Sequence, residues 1–140
     1  MTWDQIRDAQ LKGINIGSHT HTHRVMSALA LEEQKIELQI SKKLIEEKIG
    51  KEVKSVAFPV GGYEHFHAES PGLAKEEGYK LAFSFHTGVN PIQKINAFDI
   101  KRIAPSSSLA VFEAGIKFPS FFAKLACSMQ RPLSITESVN

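Results

Sequence analysis

Three histidines fall within five residues of one another, in the segment Ser18-His19-Thr20-His21-Thr22-His23. His19 and His23 are four residues apart, a spacing that brings two imidazoles to one side of a helical turn. If the segment is extended instead, His19, His21 and His23 all face one way. Either geometry presents two ring nitrogens to one divalent ion, and neutral imidazole suits zinc, cobalt, nickel and iron. The alternative is a solvated pair of surface histidines.

The context of the cluster favours metal binding. It directly follows the short apolar run Ile14-Asn15-Ile16-Gly17, in which the glycine permits close approach of the backbone. A catalytic zinc usually has three protein ligands and one open position, and only two are evident here. The aspartates of the chain, Asp4, Asp8 and Asp99, do not lie at the carboxyl end of any predicted strand. The residues alone therefore predict an incomplete site.

The predicted elements alternate between helices and strands. The capping-box pattern Thr2-Trp3-Asp4-Gln5 predicts a helix over 2–12, and apolar residues at helical spacing predict a long helix over 31–49. The remaining predictions are strands over 14–17, 53–58, 79–85 and 98–103, and helices over 70–77 and 109–116. This order indicates an α/β fold with a mainly parallel sheet, in which sites lie at the carboxyl ends of the strands. The histidine cluster and the turn Pro59-Val60-Gly61-Gly62-Tyr63 both fall at such ends.

Composition restricts the class of protein. A chain of 140 residues suits one domain with its own core, and its single cysteine, Cys127, excludes an internal disulfide. A net charge of +2, with lysines and glutamates intermixed, argues against nucleic acid as a partner. The sequence predicts no transmembrane segment. The start Met1-Thr2-Trp3-Asp4 has neither the basic nor the apolar region of a signal peptide, a conclusion that lapses if the gene begins further upstream.

The histidine segment, with Leu29 and Glu32-Glu33 after it, resembles the second motif of the polysaccharide deacetylases, carbohydrate esterase family four. That motif reads His-Ser/Thr-x-x-His. The resemblance implies that His19 and His23 bind a divalent metal, zinc by preference. It also implies that the Thr20 hydroxyl helps to hold the loop and that His21 is not a ligand.

Phe58-Pro59-Val60-Gly61-Gly62-Tyr63 resembles the third motif of the family in its Phe/Tyr-Pro-x-Gly form. In the family this loop walls the substrate groove, which implies substrate contacts for Pro59, Gly61 and Tyr63. The backbone N–H of Val60 would stabilise the oxyanion. The arginine common in this motif is absent here. Taken alone, the segment is an ordinary turn, but its place one helix and one strand after the histidines favours the family.

Weaker similarities follow in the family's order, so that the resemblance covers roughly residues 2–116. Two motifs are missing. The first, Thr-Phe-Asp-Asp-Gly, supplies the general base and the third metal ligand and would precede Thr2. The late motif with the catalytic histidine is not recognisable. His86, at the end of a predicted strand, is a candidate for that role although its flanks do not match, whereas His65 and His67 are expected at the groove rim or surface.

The resemblance implies an α/β fold that is a partial, irregular (β/α) barrel of the polysaccharide deacetylase type without its first strand. The deacetylase-like domain is expected over 1–118, incomplete at its N-terminus, with a peripheral helix and tail over 119–140. The implied activity is metal-dependent hydrolysis of N-acetyl groups on an acetylated amino-sugar polysaccharide. The family suggests the bacterial cell envelope or secretion.

Two further interpretations stay open. In the first, the chain is a non-catalytic truncated remnant or a sugar-binding module of the same fold. In the second, the true start codon lies upstream, since Met1-Thr2-Trp3-Asp4-Gln5 reads as the start of an internal helix. Because loss of the first strand leaves an unpaired edge, the isolated chain is expected to be poorly stable or to self-associate.

Overall fold

The computed structural model of the protein describes residues 1–60, 68–102 and 108–118. The helices in these ranges are α1 (Trp3–Leu11), α2 (Leu31–Ile49), α3 (Ser70–Glu76) and α4 (Leu109–Lys117). The strands are β1 (Ser55–Ala57), β2 (Leu81–Thr87) and β3 (Ile100–Arg102), and short 3-10 turns occur at Met26–Ala28 and Ile92–Lys94. None of these helices is both long enough and apolar enough to cross a membrane.

The chain divides into two units. One comprises residues 1–86 with 90–102, and the other comprises 87–89 with 103–140. The first unit contains α1 to α3 and the residues discussed below, and α4 belongs to the second. The domain boundary expected after residue 118 stays a prediction, because residues 119–140 lie outside the described ranges.

The three strands form one sheet in the order β1-β2-β3. β1 and β2 are parallel, with Val56 opposite Ala82. A parallel bridge pairs Ser18 with Val56: the Ser18 N–H donates to Ser55 O at 2.8 Å, and the Ala57 N–H donates to Ser18 O at 2.9 Å. Helices alternating with a small parallel sheet confirm the α/β prediction.

The helix predictions are confirmed at their caps. The Thr2 N–H donates to Gln5 Oε1 at 2.8 Å, and the Gln5 N–H donates to Thr2 Oγ1 at 3.3 Å, which completes the capping box of α1. α2 has the predicted bounds and ends at Gly50, whose φ of 66° is the left-handed conformation that glycine adopts without steric cost. α3 begins with Pro71 in its first turn, where the missing N–H costs no helical hydrogen bond.

The strand predictions need correction at their bounds. The predicted strand over 14–17 is wrong, because these four residues make no ladder bonds to β1, whereas Ser18, just after them, does. The strand predicted over 53–58 shrinks to the three residues of β1, and the strand predicted over 98–103 begins only at Ile100, while residue 103 lies outside the described ranges. Conversely, β2 extends through His86 and Thr87, which were predicted as loop. An apolar pattern sets the face of a strand, whereas its length depends on a distant partner.

Gly17 lies so close to Ser55 of β1 that a residue with a side chain is not expected to fit at this position. A Cβ added at this position would lie 2.6 Å from Ser55 Oγ and 3.2 Å from Ser55 O. We predict that Gly17→Ala displaces the Ser18 bridge and lowers the free energy of unfolding by about 1–3 kcal/mol, measured by urea denaturation. The control is Gly72→Ala in α3, which has open space around it and gains helix propensity. Equal stability of Gly17→Ala and the parent would contradict the prediction.

The core joins α2 and α3 to the sheet. Its buried apolar residues are Met26, Leu29, Leu38, Val53, Val56, Phe58, Ala74, Tyr79 and Ala82. Of the apolar residues at helical spacing on α2, Leu38, Ile45 and Ile49 face this core, whereas Ile36, Ile40 and Leu44 are exposed. Packing against the core therefore determines which face of α2 is turned toward the sheet. Glu37 and Ser41, two buried polar residues of α2, take part in the site described below.

Candidate functional site

The candidate site lies at one edge of the sheet. Because β1 and β2 are parallel, their carboxyl ends meet at the same edge. The histidine segment continues from the Ser18 bridge beside β1, and Pro59 and Val60 follow soon after β1. His86 stands near the end of β2. The sequence correctly predicts that these residues share an edge.

His19 and His23 come together as the sequence predicts. Their ring centroids are 4.8 Å apart, and the ring planes are inclined at 74°. The segment between them is neither helical nor extended, because Thr20 and His23 have φ values of 64° and 60°. A turn of this kind gathers the two outer histidines without His21.

The tautomer of His19 is fixed by a backbone carbonyl. Its Nδ1 lies 2.5 Å from Ala57 O, and since a carbonyl only accepts, Nδ1 carries the proton. In the neutral ring, Nε2 then keeps a lone pair, the state in which histidine binds a metal. Metal-binding histidines commonly donate their other ring N–H to a carbonyl or carboxylate. This contact fits a metal ligand better than it fits a solvated surface histidine.

Glu37 on α2 holds the turn between the two histidines. Its Oε2 accepts from the His21 N–H at 2.8 Å and from the Thr22 N–H at 2.7 Å, and its Oε1 accepts from Thr22 Oγ1 at 2.5 Å. Burial by itself raises the pKa of Glu37, but the three hydrogen bonds from Thr22 and His21 outweigh it, so the pKa lies below its ordinary value. The carboxylate therefore anchors the turn in its charged form.

A buried hydroxyl network supports the start of the turn. Ser18 Oγ lies 2.8 Å from Ser41 Oγ and accepts from the Thr20 N–H at 3.3 Å. The Tyr79 hydroxyl donates to Leu38 O at 3.0 Å, and Ser41 Oγ donates to the same carbonyl at 3.1 Å. Burial raises the pKa of Tyr79, which therefore stays neutral and able to donate. Sequence reasoning did not assign these residues to the site, because the partners are up to 41 positions apart.

Backbone strain is concentrated at the site. Within residues 1–60, 68–102 and 108–118, the non-glycine residues with positive φ are Thr20, His23 and Val60. A positive φ in a β-branched residue such as Val60, here 41°, is energetically costly and persists only where the surroundings impose it. Thr20 Oγ1 is buried and has no hydrogen-bond partner among the described residues. The resemblance implied that the Thr20 hydroxyl helps to hold the loop. Among the described residues, Glu37 makes the hydrogen bonds that hold it.

The turn after β1 is described through Val60. Pro59 is buried and Val60 is half exposed, so the backbone of the turn reaches the surface at the residue predicted to face the oxyanion. Gly61 and Tyr63, predicted to contact substrate, lie outside the described residues, as do His65 and His67. The role of Val60 stays a prediction.

His86 is paired with a carboxylate. Its Nδ1 lies 2.9 Å from Asp99 Oδ1, and the residue is only 5% exposed. Asp99 immediately precedes β3 and is 13 positions from His86, so no local pattern of residues indicates this pair. The catalytic role predicted for His86 stays a prediction.

The candidate metal ligands that the structure brings together are His19 and His23. Among the residues that the structure describes, no group of three or more His, Cys, Asp and Glu side chains is arranged to hold a metal ion. His19 and His23 thus fit two positions of a zinc site that usually has three protein ligands. The donor chemistry fits zinc, since both ligands are imidazoles.

A separate groove of about 610 Å³ lies at the amino ends of β1 and β2. The residues that line it are Gln10, Ile14, Asn15, Ile16, Ile49, Lys51, Glu52, Lys54, Ser55, Leu81 and Phe83. None of the candidate site residues is among them. This groove is thus distinct from the histidine site.

Comparison with known proteins gives consistent relatives. A family model described as polysaccharide deacetylase matches residues 1–82. YxkH of Bacillus subtilis strain 168, a protein named as a polysaccharide deacetylase, is 28% identical over 118 residues, which are 84% of this chain and 41% of that protein. The chain therefore spans about two fifths of the length of that relative.

Two solved structures have a similar fold. The deacetylase PplD of Streptococcus pyogenes, in complex with acetate, superposes with a TM-score of 0.69 at 17% identity, covering 94% of this chain and 51% of that one. BA3943 of Bacillus anthracis, a carbohydrate esterase family four pseudoenzyme, superposes with a TM-score of 0.55 at 18% identity, covering 89% and 46%. The chain spans about half of each, and the likeness extends over nearly all of its own residues.

Proposed function

This chain belongs to the polysaccharide deacetylase family. On that premise we propose that the site formed by His19, His23 and the turn after β1 carries out the metal-dependent hydrolysis of N-acetyl groups on a polysaccharide. The observation that carries the proposal is the hydrogen bond from His19 Nδ1 to Ala57 O at 2.5 Å. It leaves Nε2 of His19 as a metal donor, and the ring of His23 lies within 4.8 Å of it. A protein that keeps this arrangement keeps the basis of a metal site.

Each residue has a defined task in this proposal. His19 and His23 hold a divalent metal, zinc by preference, which when bound polarises the amide carbonyl and lowers the pKa of water. The Val60 N–H donates to the oxyanion that develops as the acetyl carbon becomes tetrahedral. Pro59, Gly61 and Tyr63 contact the sugar. His86, oriented by Asp99, is the candidate for protonating the departing amine.

The general base and the third metal ligand are carboxylates in the family, from a motif with no counterpart in residues 1–140. A second candidate function is that the chain binds an acetylated amino-sugar polymer without cleaving it, since BA3943, which has a similar fold, is a pseudoenzyme. The two functions differ in whether acetate is released.

The test is acetate release from N-acetylglucosamine oligomers, measured with zinc and with a chelator. We expect release that the chelator stops, that added zinc restores, and that His23→Ala abolishes. Retention of the oligomer on the protein without acetate release would support the binding function. Acetate release that is indifferent to chelator and to His23→Ala would overturn the proposed role of the histidines.

A further inference from the structure

Arg102, the last residue of β3, connects all three strands at the edge that carries the site. Its Nε donates to Ser84 O on β2 at 2.7 Å, and its Nη2 donates to Phe58 O, just after β1, at 2.8 Å. The guanidinium is half-buried, and this loss of solvent lowers the pKa of Arg102, although arginine stays charged at any pH at which proteins fold. The result is a pair of charge-assisted hydrogen bonds to buried backbone.

The carbonyl that Arg102 holds lies two residues before Val60. Successive carbonyls of an extended segment point to opposite sides. Accordingly, Ala57 O accepts from His19 on one side, and Phe58 O accepts from Arg102 on the other. The two carbonyls before Pro59 are thus both bound by side chains, one from the metal-binding turn and one from β3.

We propose that Arg102 is a positioning residue that sets the direction of the Val60 N–H. The inference rests on the proposed function in one respect, that this N–H faces the oxyanion. Val60 has a φ of 41°, a conformation that a β-branched residue keeps only where the surrounding structure imposes it. The planar fork of arginine spans two carbonyls, whereas the ammonium of lysine is a point charge that cannot reproduce this geometry.

The experiment compares Arg102→Lys with the parent by NMR relaxation of the Val60 amide. We expect an order parameter of about 0.85 in the parent and below about 0.6 in the variant, with zinc affinity unchanged because His19 and His23 remain. Arg102→Gln, whose side-chain amide reaches one carbonyl, provides a second variant if the lysine variant does not fold. Arg7→Lys is the matched control, because Arg7 also donates to a backbone carbonyl, Lys48 O, at an exposed position.

Turnover gives the second readout. In the acetate-release assay, Arg102→Lys should lower kcat about tenfold or more and leave KM unchanged, because the oxyanion contact is made only in the transition state. A Val60 amide equally rigid in the parent and in the Arg102 variants would overturn the inference. If no protein releases acetate, the proposed hydrolysis fails, and the relaxation comparison still decides whether Arg102 positions Val60.

Discussion

Replacing both His19 and His23 with alanine is expected to abolish specific zinc binding by this chain. The parent should bind one zinc ion per chain, because the rings lie 4.8 Å apart and the Ala57 carbonyl holds His19 in the tautomer that leaves Nε2 as donor. Isothermal titration calorimetry on the purified protein measures both the stoichiometry and the loss. His21→Ala is the matched control, since it removes an exposed imidazole from the same turn.

The affinity of the parent carries further information. Two imidazoles alone hold zinc weakly, so tight one-to-one binding that the double variant loses would mean that a third ligand exists within the chain. Residues 61–67, 103–107 and 119–140 would be the place to look for it. Weak binding that is indifferent to the double variant would mean that His19 and His23 do not form a zinc site in this chain.

Glu37→Ala is expected to lower the free energy of unfolding by about 3 kcal/mol. The reason is that the His21 N–H, the Thr22 N–H and the Thr22 hydroxyl, all in the turn between His19 and His23, lose a charged, buried acceptor. Zinc affinity should fall about 10- to 100-fold, as it does when groups that orient the ligands are removed. Urea denaturation and calorimetry measure the two effects. Glu47→Ala is the control, because Glu47 is exposed on the same helix and its carboxylate makes a surface ion pair with Lys43 Nζ at 4.0 Å.

The effect of Glu37 has a defined pH dependence. Because folding lowers the pKa of Glu37, its contribution is present above the ordinary glutamate value of about 4.3 and is lost as the pH falls through the folded-state pKa. The stability difference between the parent and Glu37→Ala should therefore shrink in acid. A difference that stays constant from neutral pH to pH values well below that pKa would show that the carboxylate charge is not what holds the turn.

The main helices could be predicted because their signals are local. The capping box at Thr2 and the stop at Gly50 involve residues within one turn of each other, and both appear in the structure as predicted. The proximity of His19 and His23 could also be predicted, since only three residues separate them, and their ring centroids lie 4.8 Å apart. Residues so close in sequence can contact each other with little help from distant parts of the chain, although the exact geometry of the histidine turn also depends on Glu37 and Ala57.

The supporting contacts could not be predicted, because they join distant positions. Glu37 belongs to the charged residues that the helical pattern assigns to the outer face of α2, yet it is buried against the histidine turn. Asp99 contacts His86, which is 13 positions away, and Arg102 donates to the carbonyl of Phe58, which is 44 positions away. The segment 14–17 has a strand-like composition but no ladder partner among the described residues. Such contacts exist only once the sheet has formed.

The peptide group between Ala57 and Phe58 bonds on both of its edges. Its oxygen accepts from His19 Nδ1, and its N–H donates to Phe83 O at 3.0 Å. Hydrogen bonds in series polarise one another, with an estimated gain of about 10–30% per bond. The bond to β2 therefore makes the Ala57 oxygen a stronger acceptor, which draws the Nδ1 proton and increases the electron density at Nε2. The sheet thus tunes the donor strength of the imidazole as well as its place.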